Sequence, residues 1–285
     1  MKYMISRIFV GWVGVPMSTF FEDGVIRIIQ HPGQGFFSCC TIHLQRILTY
    51  FNEYHELPLR VDSTQQFLFY KTPYNWTEDI KGRYFDDTVT TEIPYTGEEV
   101  RVTDSEVEEQ YSDYRLLNHT KLTPFMLRYF TPSEEILSIV DSMEYKYGLD
   151  YSKTCVLFFR GNDKCTEMTL PSYDTYIEKG RQILAEYPGT RFLVQSDETE
   201  FLEAMMVVFP DSVVFYDEIR HMPRCVTTVD KVFKPQNADM SMFYLAITVV
   251  MSRCRQVVFG GGNCSLWITL FRGHSDGIIQ LGLQD

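Results

Sequence analysis

A loop of mixed charge follows an apolar stretch in the second half of the sequence. It reads Arg160-Gly161-Asn162-Asp163-Lys164-Cys165-Thr166-Glu167 and comes directly after residues 155–159, Cys-Val-Leu-Phe-Phe. The guanidinium of Arg160 offers a planar fork for phosphate oxygens, whereas Lys164 adds a point charge. Glu167 lies within reach of the same loop and is a candidate general base. These residue types indicate a site that handles an anion; the alternative is a charged turn closed by a surface ion pair.

A glycine run is a second candidate for phosphate binding. Gly260-Gly261-Gly262-Asn263 lies between an apolar stretch and Ser265. Glycines between a strand and a helix let backbone N–H groups approach a phosphate at the N-terminus of the helix. Gly261, Gly262 and Asn263 are therefore predicted to bind substrate, and Ser265 either bonds a phosphate or caps the helix. The Gly-Lys-Ser/Thr ending of a P-loop is missing, so a plain tight turn is the alternative.

A third loop has the same pattern in the first half of the chain. Residues 32–37 read Pro-Gly-Gln-Gly-Phe-Phe. On the same grounds Gly33, Gly35 and Phe36 are predicted to bind substrate. Two glycine loops in two α/β halves fit a ligand cleft between the halves.

Alternating strands and helices position the loops of the second half. Strands are predicted at residues 154–160, 191–195, 212–216 and 256–259, and helices at 172–187, 198–208, 237–253 and from 264. This alternation predicts a parallel sheet covered on both faces, with ligands at the carboxyl ends of its strands.

The first half is predicted to contain one strand–helix–strand unit. Its strands are placed at residues 25–31 and 57–61, and Ser38 is a candidate cap for the helix between them. The acidic stretch of about 72–124 is predicted to be an irregular insertion, either a solvated surface excursion or a lid over the site. A helix from residue 132 to Gly148 follows. The predicted halves are 1–130 and 131–285.

Composition excludes several other classes of protein. The formal net charge of −12 argues against nucleic-acid binding, which needs many Lys and Arg contacts. Seven cysteines without a Cys-x-x-Cys pair predict reduced thiols and a cytoplasmic location. Glycines and a proline interrupt residues 1–21, which predicts a strand and loop rather than a membrane span. No metal site is expected, because His-x-x-x-His is absent and Asp86-Asp87 lacks the Asp-x-Asp spacing.

Three segments resemble known fucosyltransferases. The loop of residues 158–167 resembles the His-x-Arg-Arg-Thr-Asp-Lys loop, with its following Thr-Glu, of α1,6-fucosyltransferases. Residues 251–256 and Ser265-Leu266-Trp267 resemble the Met-Ser-x-Cys-Lys-His…Ser-Phe-Ser-Trp-Trp stretch of bacterial α1,2-fucosyltransferases. The step Gln195-Ser196-Asp197-Glu198 is similar to their Thr/Ser-Asp step. The resemblance covers residues 154–272, and 25–62 more loosely.

The resemblance implies a GT-B-like fold of two Rossmann-like halves. GDP-fucose is then expected to bind mainly to the second half, 131–285, and the first half, 1–130, to lie on the acceptor side. It implies that Arg160 binds the donor diphosphate and that Lys164 and Glu167 act in charge stabilisation and as the acceptor base. Asp197 and Ser265 match positions near the donor. The chain departs from the pattern at two positions, because Phe158 replaces the family His and Gly161 the second Arg. Phe158 is retained as a candidate substrate contact at the position of that His.

The sequence therefore predicts a fucosyltransferase that moves fucose from GDP-fucose to a glycan hydroxyl. The expected reaction is a direct displacement without a metal ion or a separate cofactor. Two alternatives stay open: a transferase that uses another nucleotide sugar, and a catalytically silent protein that binds nucleotide sugars or glycans.

Overall fold

The computed structural model describes residues 18–30, 33–86, 88–104 and 107–283. The helices and strands of this part of the chain are, in order, β1 (Ser18–Glu22), β2 (Val25–Ile29), α1 (Phe36–Tyr54), β3 (Arg60–Gln65), α2 (His119–Tyr129), α3 (Glu134–Tyr147), β4 (Thr154–Phe159), α4 (Tyr173–Glu186), β5 (Arg191–Ser196), α5 (Thr199–Val208), α6 (Val229–Val232), α7 (Asn237–Arg253), β6 (Gln256–Phe259), α8 (Asn263–Arg272) and β7 (Ile278–Gln280). Most of the strand and loop predicted for residues 1–21 lies outside the described residues, and so do Pro32 and Asp87.

The described residues divide into two compact units. The first comprises those up to Val102 together with Asn118–Glu135, and the second comprises those of Thr103–Leu117 and Ile136–Asp285. Thr103–Leu117 is thus part of the second unit although it precedes α2 in the chain. None of the helices in the described ranges combines the length and apolar character needed to cross a bilayer.

The second unit is built on a parallel sheet of four strands in the order β5-β4-β6-β7. Every residue of β4 is buried, as expected for a central strand covered on both faces. One face packs on α4 and α5 in a cluster that includes Leu157, Phe159, Tyr176 and Phe201. The predicted α/β fold with a parallel sheet in the C-terminal part is confirmed.

Two predictions for this sheet were wrong in detail. The strand expected at 212–216 is a single parallel bridge between Leu193 and Val213. The chain leaves the sheet edge there because the N–H groups of Glu218 and Ile219 both donate to the Phe215 carbonyl, at 3.1 and 3.0 Å. Strand β7 was not predicted, since its three residues are too few to show a period.

The first unit contains a sheet in the order β1-β2-β3. Strands β2 and β3 are parallel and joined through α1, which confirms the predicted strand–helix–strand unit, whereas β1 is antiparallel to β2. The second strand spans Arg60–Gln65 instead of 57–61. Ser38 does not cap α1: the cap residue is Gly35, whose carbonyl accepts the Cys39 N–H at 3.1 Å.

The acidic insertion is irregular but not a solvated excursion. Between β3 and α2 the described residues form only short 3-10 turns, as the weak apolar pattern predicted. However, the side chains of Tyr84, Phe85 and Tyr114 are fully buried. Helix α2 also begins at His119, inside the predicted insertion, where the Asn118 side chain accepts the Lys121 N–H at 3.4 Å. Aromatic anchors therefore hold a segment whose sequence looks polar.

A buried histidine should make the first unit sensitive to acid. His43 is 1% exposed, and burial, aided by the charge of Lys81, lowers its pKa to about 3. Below about pH 6.5, His43 is protonated in the unfolded chain but stays neutral in the native protein, so the free energy of unfolding falls as the pH drops. Between about pH 7.5 and pH 5 we expect the free energy of unfolding to fall about 2 kcal/mol more in the wild type than in His43→Asn. Urea unfolding at the two pH values measures this, and equal losses in both proteins would contradict it.

Candidate functional site

The predicted charged loops meet at the carboxyl edge of the parallel sheet in the second unit. Strands β4, β5 and β6 end at Phe159, Ser196 and Phe259. Because the strands are parallel, the residues that follow them lie along one edge, which is where α/β proteins bind ligands. Arg160 and Asp197 are brought into contact there.

Arg160 is held by three groups: one from its own loop, one from the loop after β5 and one from the first turn of α8. Its Nε donates to Asp197 Oδ2 at 3.0 Å, its Nη2 to Asp163 Oδ1 at 3.1 Å and its Nη1 to Cys264 Sγ at 3.1 Å. The side chain is 23% exposed. One guanidinium thus faces two carboxylates, and a bound diphosphate would compete with Asp163 for it.

Asp197 and Asn162 fix the position of the Arg160 loop. The second carboxylate oxygen of Asp197 accepts the Gly161 N–H at 3.0 Å. Burial raises the pKa of the Asp197 carboxyl, and the charge of Arg160 opposes this. Asn162 is fully buried; its Nδ2 donates to the Asp197 carbonyl at 2.6 Å and its Oδ1 accepts the Cys225 N–H at 2.9 Å. Asp197 was predicted to bind substrate, and its observed contacts are with the Arg160 loop.

The other two predicted catalytic residues contact each other. Lys164 Nζ donates to Glu167 Oε2, and the hydroxyl of Tyr111 donates to the same oxygen at 2.8 Å. Burial and the adjacent Glu167 carboxylate raise the pKa of Tyr111, so its hydroxyl remains a proton donor. Glu167 therefore lies in a polar cluster as a carboxylate with two donors on one oxygen.

The glycine run leads into α8 as predicted, but the N–H of Gly262 is already engaged. Gly262 is the N-cap of α8 with φ of 122°, a conformation that favours glycine. Its N–H donates to the carbonyl of Gln110 at 2.6 Å and to the hydroxyl of Tyr114 at 3.0 Å. The side chain of Asn263 donates to Gln110 Oε1 at 3.0 Å.

Ser265 and Phe158 are less accessible than their predicted roles require. Ser265 is the third residue of α8 and 2% exposed, so it does not cap the helix. Phe158 is 7% exposed and lies in the sheet beside Gln195 and Phe259. Their assignment as substrate contacts remains a prediction.

The first-half loop lies in the other compact unit. Gly35 caps α1, and Phe36 is 3% exposed within an aromatic cluster with Phe67, Tyr70 and Tyr84. The substrate-binding assignments of Gly33, Gly35 and Phe36 also remain predictions.

A further ion pair at the same edge was missed by sequence reasoning. Glu198 is 1% exposed, accepts from Arg224 Nε at 2.7 Å and from the hydroxyl of Tyr173, and fills the space beside Gly161. Its place directly after Asp197 was a usable signal, whereas Arg224 lies 26 residues away in the chain. The guanidinium of Arg224 is 63% exposed.

This ion pair explains why position 161 is glycine. A Cβ atom there would lie 1.8 Å from Glu198 Oε2 and 2.6 Å from the ring of Phe159. We expect Gly161→Ala to lower the free energy of unfolding by about 1–3 kcal/mol, because the carboxylate must move away from Arg224. In the control Gly189→Ala no atom lies within 4 Å of the new methyl group, and a change within about 0.5 kcal/mol is expected. Urea unfolding compares the two; equal stabilities would show that Glu198 moves aside at no cost.

The opposite edge of the sheet carries an open basic cavity of about 670 Å³, lined by residues that include Arg253, Arg255, Arg272 and His274. Its cations have structural partners. Arg272 donates to the carbonyls of Ser252 and Arg255 at 3.1 and 2.7 Å, and Arg253 pairs with Glu144 at 2.7 Å. Arg253 and Arg272 lie in the last turns of α7 and α8, where a cation stabilises the C-terminus of a helix.

No protein-family model matches the sequence, and no curated protein is similar to it. Among solved structures, the α1,6-fucosyltransferase NodZ co-crystallised with GDP is similar at a TM-score of 0.33 and 14% identity, over 50% of this chain and 41% of that chain. The same enzyme soaked with GDP-fucose gives a TM-score of 0.35 and 10% identity, over 54% and 47%. The fucosyltransferase NodZ from Bradyrhizobium gives 0.30 and 12%, over 50% and 42%. The chain thus covers less than half the length of these proteins.

Within the described ranges, no group of three or more His, Cys, Asp or Glu side chains is arranged to hold a metal ion. The polar groups gathered at the carboxyl edge are three cations, Arg160, Lys164 and Arg224, with their carboxylate partners and the donors at the start of α8.

Proposed function

We propose that the protein is a glycosyltransferase that moves fucose from GDP-fucose to a glycan hydroxyl. The observation that carries the proposal is the position of Arg160 directly after the central strand β4, in contact with the first turn of α8 through Cys264. A guanidinium beside the N-terminus of a helix is suited to a diphosphate. Lys164 and Glu167 lie in the same loop.

The proposed reaction is a direct displacement at the anomeric carbon of fucose. The acceptor oxygen forms the new bond to that carbon, the bond to the β-phosphate oxygen breaks, and GDP leaves with the electron pair. Glu167 takes the proton of the acceptor hydroxyl. Arg160 and Lys164 stabilise the charge that grows on the β-phosphate, and loss of one such group typically costs about 2.7–4 kcal/mol of barrier. No step requires a metal ion.

One observation favours a second candidate function. Glu198 fills the space that a side chain at position 161 would need, so the second cation of the fucosyltransferase pattern does not fit there unless Glu198 moves. With a single arginine at this point of the loop, a protein that binds a nucleotide sugar without transferring it is the alternative.

A nucleotide panel tests the donor class. We expect GDP to raise the melting temperature by about 5–10 °C at a concentration about 100-fold above its Kd, because a ligand that binds only the native state stabilises it by mass action. UDP and CMP should give smaller shifts. A shift with UDP but not with GDP would contradict the donor assignment, and no shift with any nucleotide would contradict the proposed function. Release of fucose from GDP-fucose, or its transfer, separates an enzyme from a silent binder.

A further inference from the structure

One short segment covers the donors that the proposed site offers to a phosphate. Residues 109–117, here called the capping segment, contain two 3-10 turns, Glu109–Tyr111 and Tyr114–Leu116. The segment belongs to the same compact unit as the parallel sheet. It has no counterpart among the motifs that indicated the function, yet it contacts four of the predicted site residues.

Gln110 makes three of these contacts with its two oxygens. Its carbonyl oxygen accepts the Gly262 N–H at 2.6 Å. Its Oε1 accepts from Asn263 Nδ2 at 3.0 Å and from Lys164 Nζ at 3.5 Å. A backbone N–H at the start of a helix, an amide and an ammonium group are the donors that phosphate oxygens take. In this structure the two oxygens of Gln110 accept hydrogen bonds from all three of these donors.

Tyr111 makes the fourth contact. Its hydroxyl donates to Glu167 Oε2 at 2.8 Å, so the capping segment also binds the carboxylate that serves as base in the proposed reaction. The phenol therefore occupies one of the two oxygens that could take the proton of an acceptor hydroxyl in the proposed reaction. The adjacent residues Gln110 and Tyr111 therefore occupy both the hydrogen-bond donors proposed for the phosphate and the carboxylate of Glu167.

The two ends of the capping segment differ in how they are anchored. Tyr114 is fully buried, its ring packs edge-on against Phe259 with centroids 5.6 Å apart, and its N–H donates to Gln280 Oε1 at 2.9 Å. The side chains of Gln110 and Tyr111 are partly exposed. The Tyr114 hydroxyl also donates to the Gln110 carbonyl at 2.6 Å, so a movement of Gln110 and Tyr111 away from the site breaks this bond while Tyr114 keeps its contacts with Phe259 and Gln280.

We infer that the capping segment autoinhibits the site, with the oxygens of Gln110 standing where oxygens of the donor diphosphate bind. This inference rests on the proposed function. Binding of the nucleotide sugar displaces Gln110 from Gly262, Asn263 and Lys164, and the same movement withdraws Tyr111 from Glu167. The measured affinity for the nucleotide sugar is the intrinsic affinity multiplied by the fraction of molecules in which Gln110 is displaced. Because Tyr111 moves with Gln110, Glu167 is released only when the nucleotide sugar binds.

Calorimetric titration of GDP into Gln110→Ala tests the inference. The variant lacks the oxygen that binds Asn263 and Lys164, and we expect it to bind GDP about three- to tenfold more tightly than the wild type. The matched control is Leu116→Ala, in the same segment, because this side chain is 67% exposed; its GDP affinity should equal that of the wild type. Equal or weaker GDP binding by Gln110→Ala, with a wild type that binds GDP, would overturn the inference and leave the proposed function standing.

Amide hydrogen exchange of the nucleotide-free proteins gives a second readout. We expect the peptide that contains Gly262 to exchange faster in Gln110→Ala than in Leu116→Ala, since the Gln110 carbonyl is then held less firmly on the Gly262 N–H. If neither the wild type nor the two variants bind GDP, the proposed function is wrong. Amide hydrogen exchange at Gly262 is then the remaining test of the contact between Gln110 and Gly262. Unchanged exchange at Gly262 would overturn the inference.

Discussion

Glu167→Gln should reduce transfer by about 10²–10⁴-fold and leave GDP affinity nearly unchanged. Glutamine has almost the shape of glutamate and can still accept from Lys164 and Tyr111, which both donate to Oε2 in the wild type. It cannot take the proton of an acceptor hydroxyl. The loss therefore falls on the chemical step rather than on the binding of the donor. Initial rates with saturating GDP-fucose, beside a calorimetric GDP titration, separate the two effects.

Glu178→Gln is the control for this substitution. Glu178 is an exposed residue of α4, and the same chemical change there should leave both rate and affinity at wild-type values. If Glu167→Gln instead lowered only the melting temperature, the contact with Lys164 would be a structural ion pair and another group would be the base.

Arg160→Ala should weaken GDP binding and slow transfer by about 10²–10³-fold, because the guanidinium meets the diphosphate in both the ground state and the transition state. It should also destabilise the fold by up to about 3–5 kcal/mol, since the buried Asp197 carboxylate loses its partner at 3.0 Å. Arg160→Lys should restore little, as one ammonium group cannot reach Asp197, Asp163 and Cys264 together. Turnover and calorimetric GDP titration, at a temperature where the variant is folded, measure the effects on transfer and on GDP binding separately from the loss of stability.

The double variant Arg160→Ala/Asp197→Asn separates function from stability. Asparagine keeps an oxygen for the Gly161 N–H, which Asp197 accepts at 3.0 Å, and removes the buried charge at position 197. The more exposed Asp163 still loses its contact with Arg160. We expect the double variant to regain stability and to remain poor in GDP binding and transfer. Wild-type GDP affinity in the folded double variant would remove Arg160 from the site.

The sequence was sufficient to predict the parallel sheet and the loops at its carboxyl edge. Buried strands such as β4 consist of uninterrupted apolar residues, and glycines or charges mark their ends. Since parallel strands end at one edge, the neighbourhood of Arg160 and Asp197 followed from order along the chain alone. The charged turn that was weighed as an alternative is also present in part, because Lys164 and Glu167 do form an ion pair.

Contacts between distant segments were not predictable in this way. Gln110, Tyr111 and Tyr114 lie in a stretch without apolar period, and Tyr114 lies 148 residues from Gly262 in the sequence. The partner of Glu198, Arg224, is on a loop with no motif. Ser38 was a reasonable cap by residue type, but the helix begins three residues earlier, with Gly35 as its cap, and this places Phe36 and Phe37 in the core.

A structure of the protein with bound GDP tests the central claim most directly. It should place diphosphate oxygens within hydrogen-bonding distance of the Arg160 guanidinium and of the Gly262 N–H at the start of α8. The basic cavity at the opposite edge, beside Arg255 and His274, should stay without nucleotide. A diphosphate bound in that cavity, with Arg160 still joined only to Asp197, Asp163 and Cys264, would contradict the account.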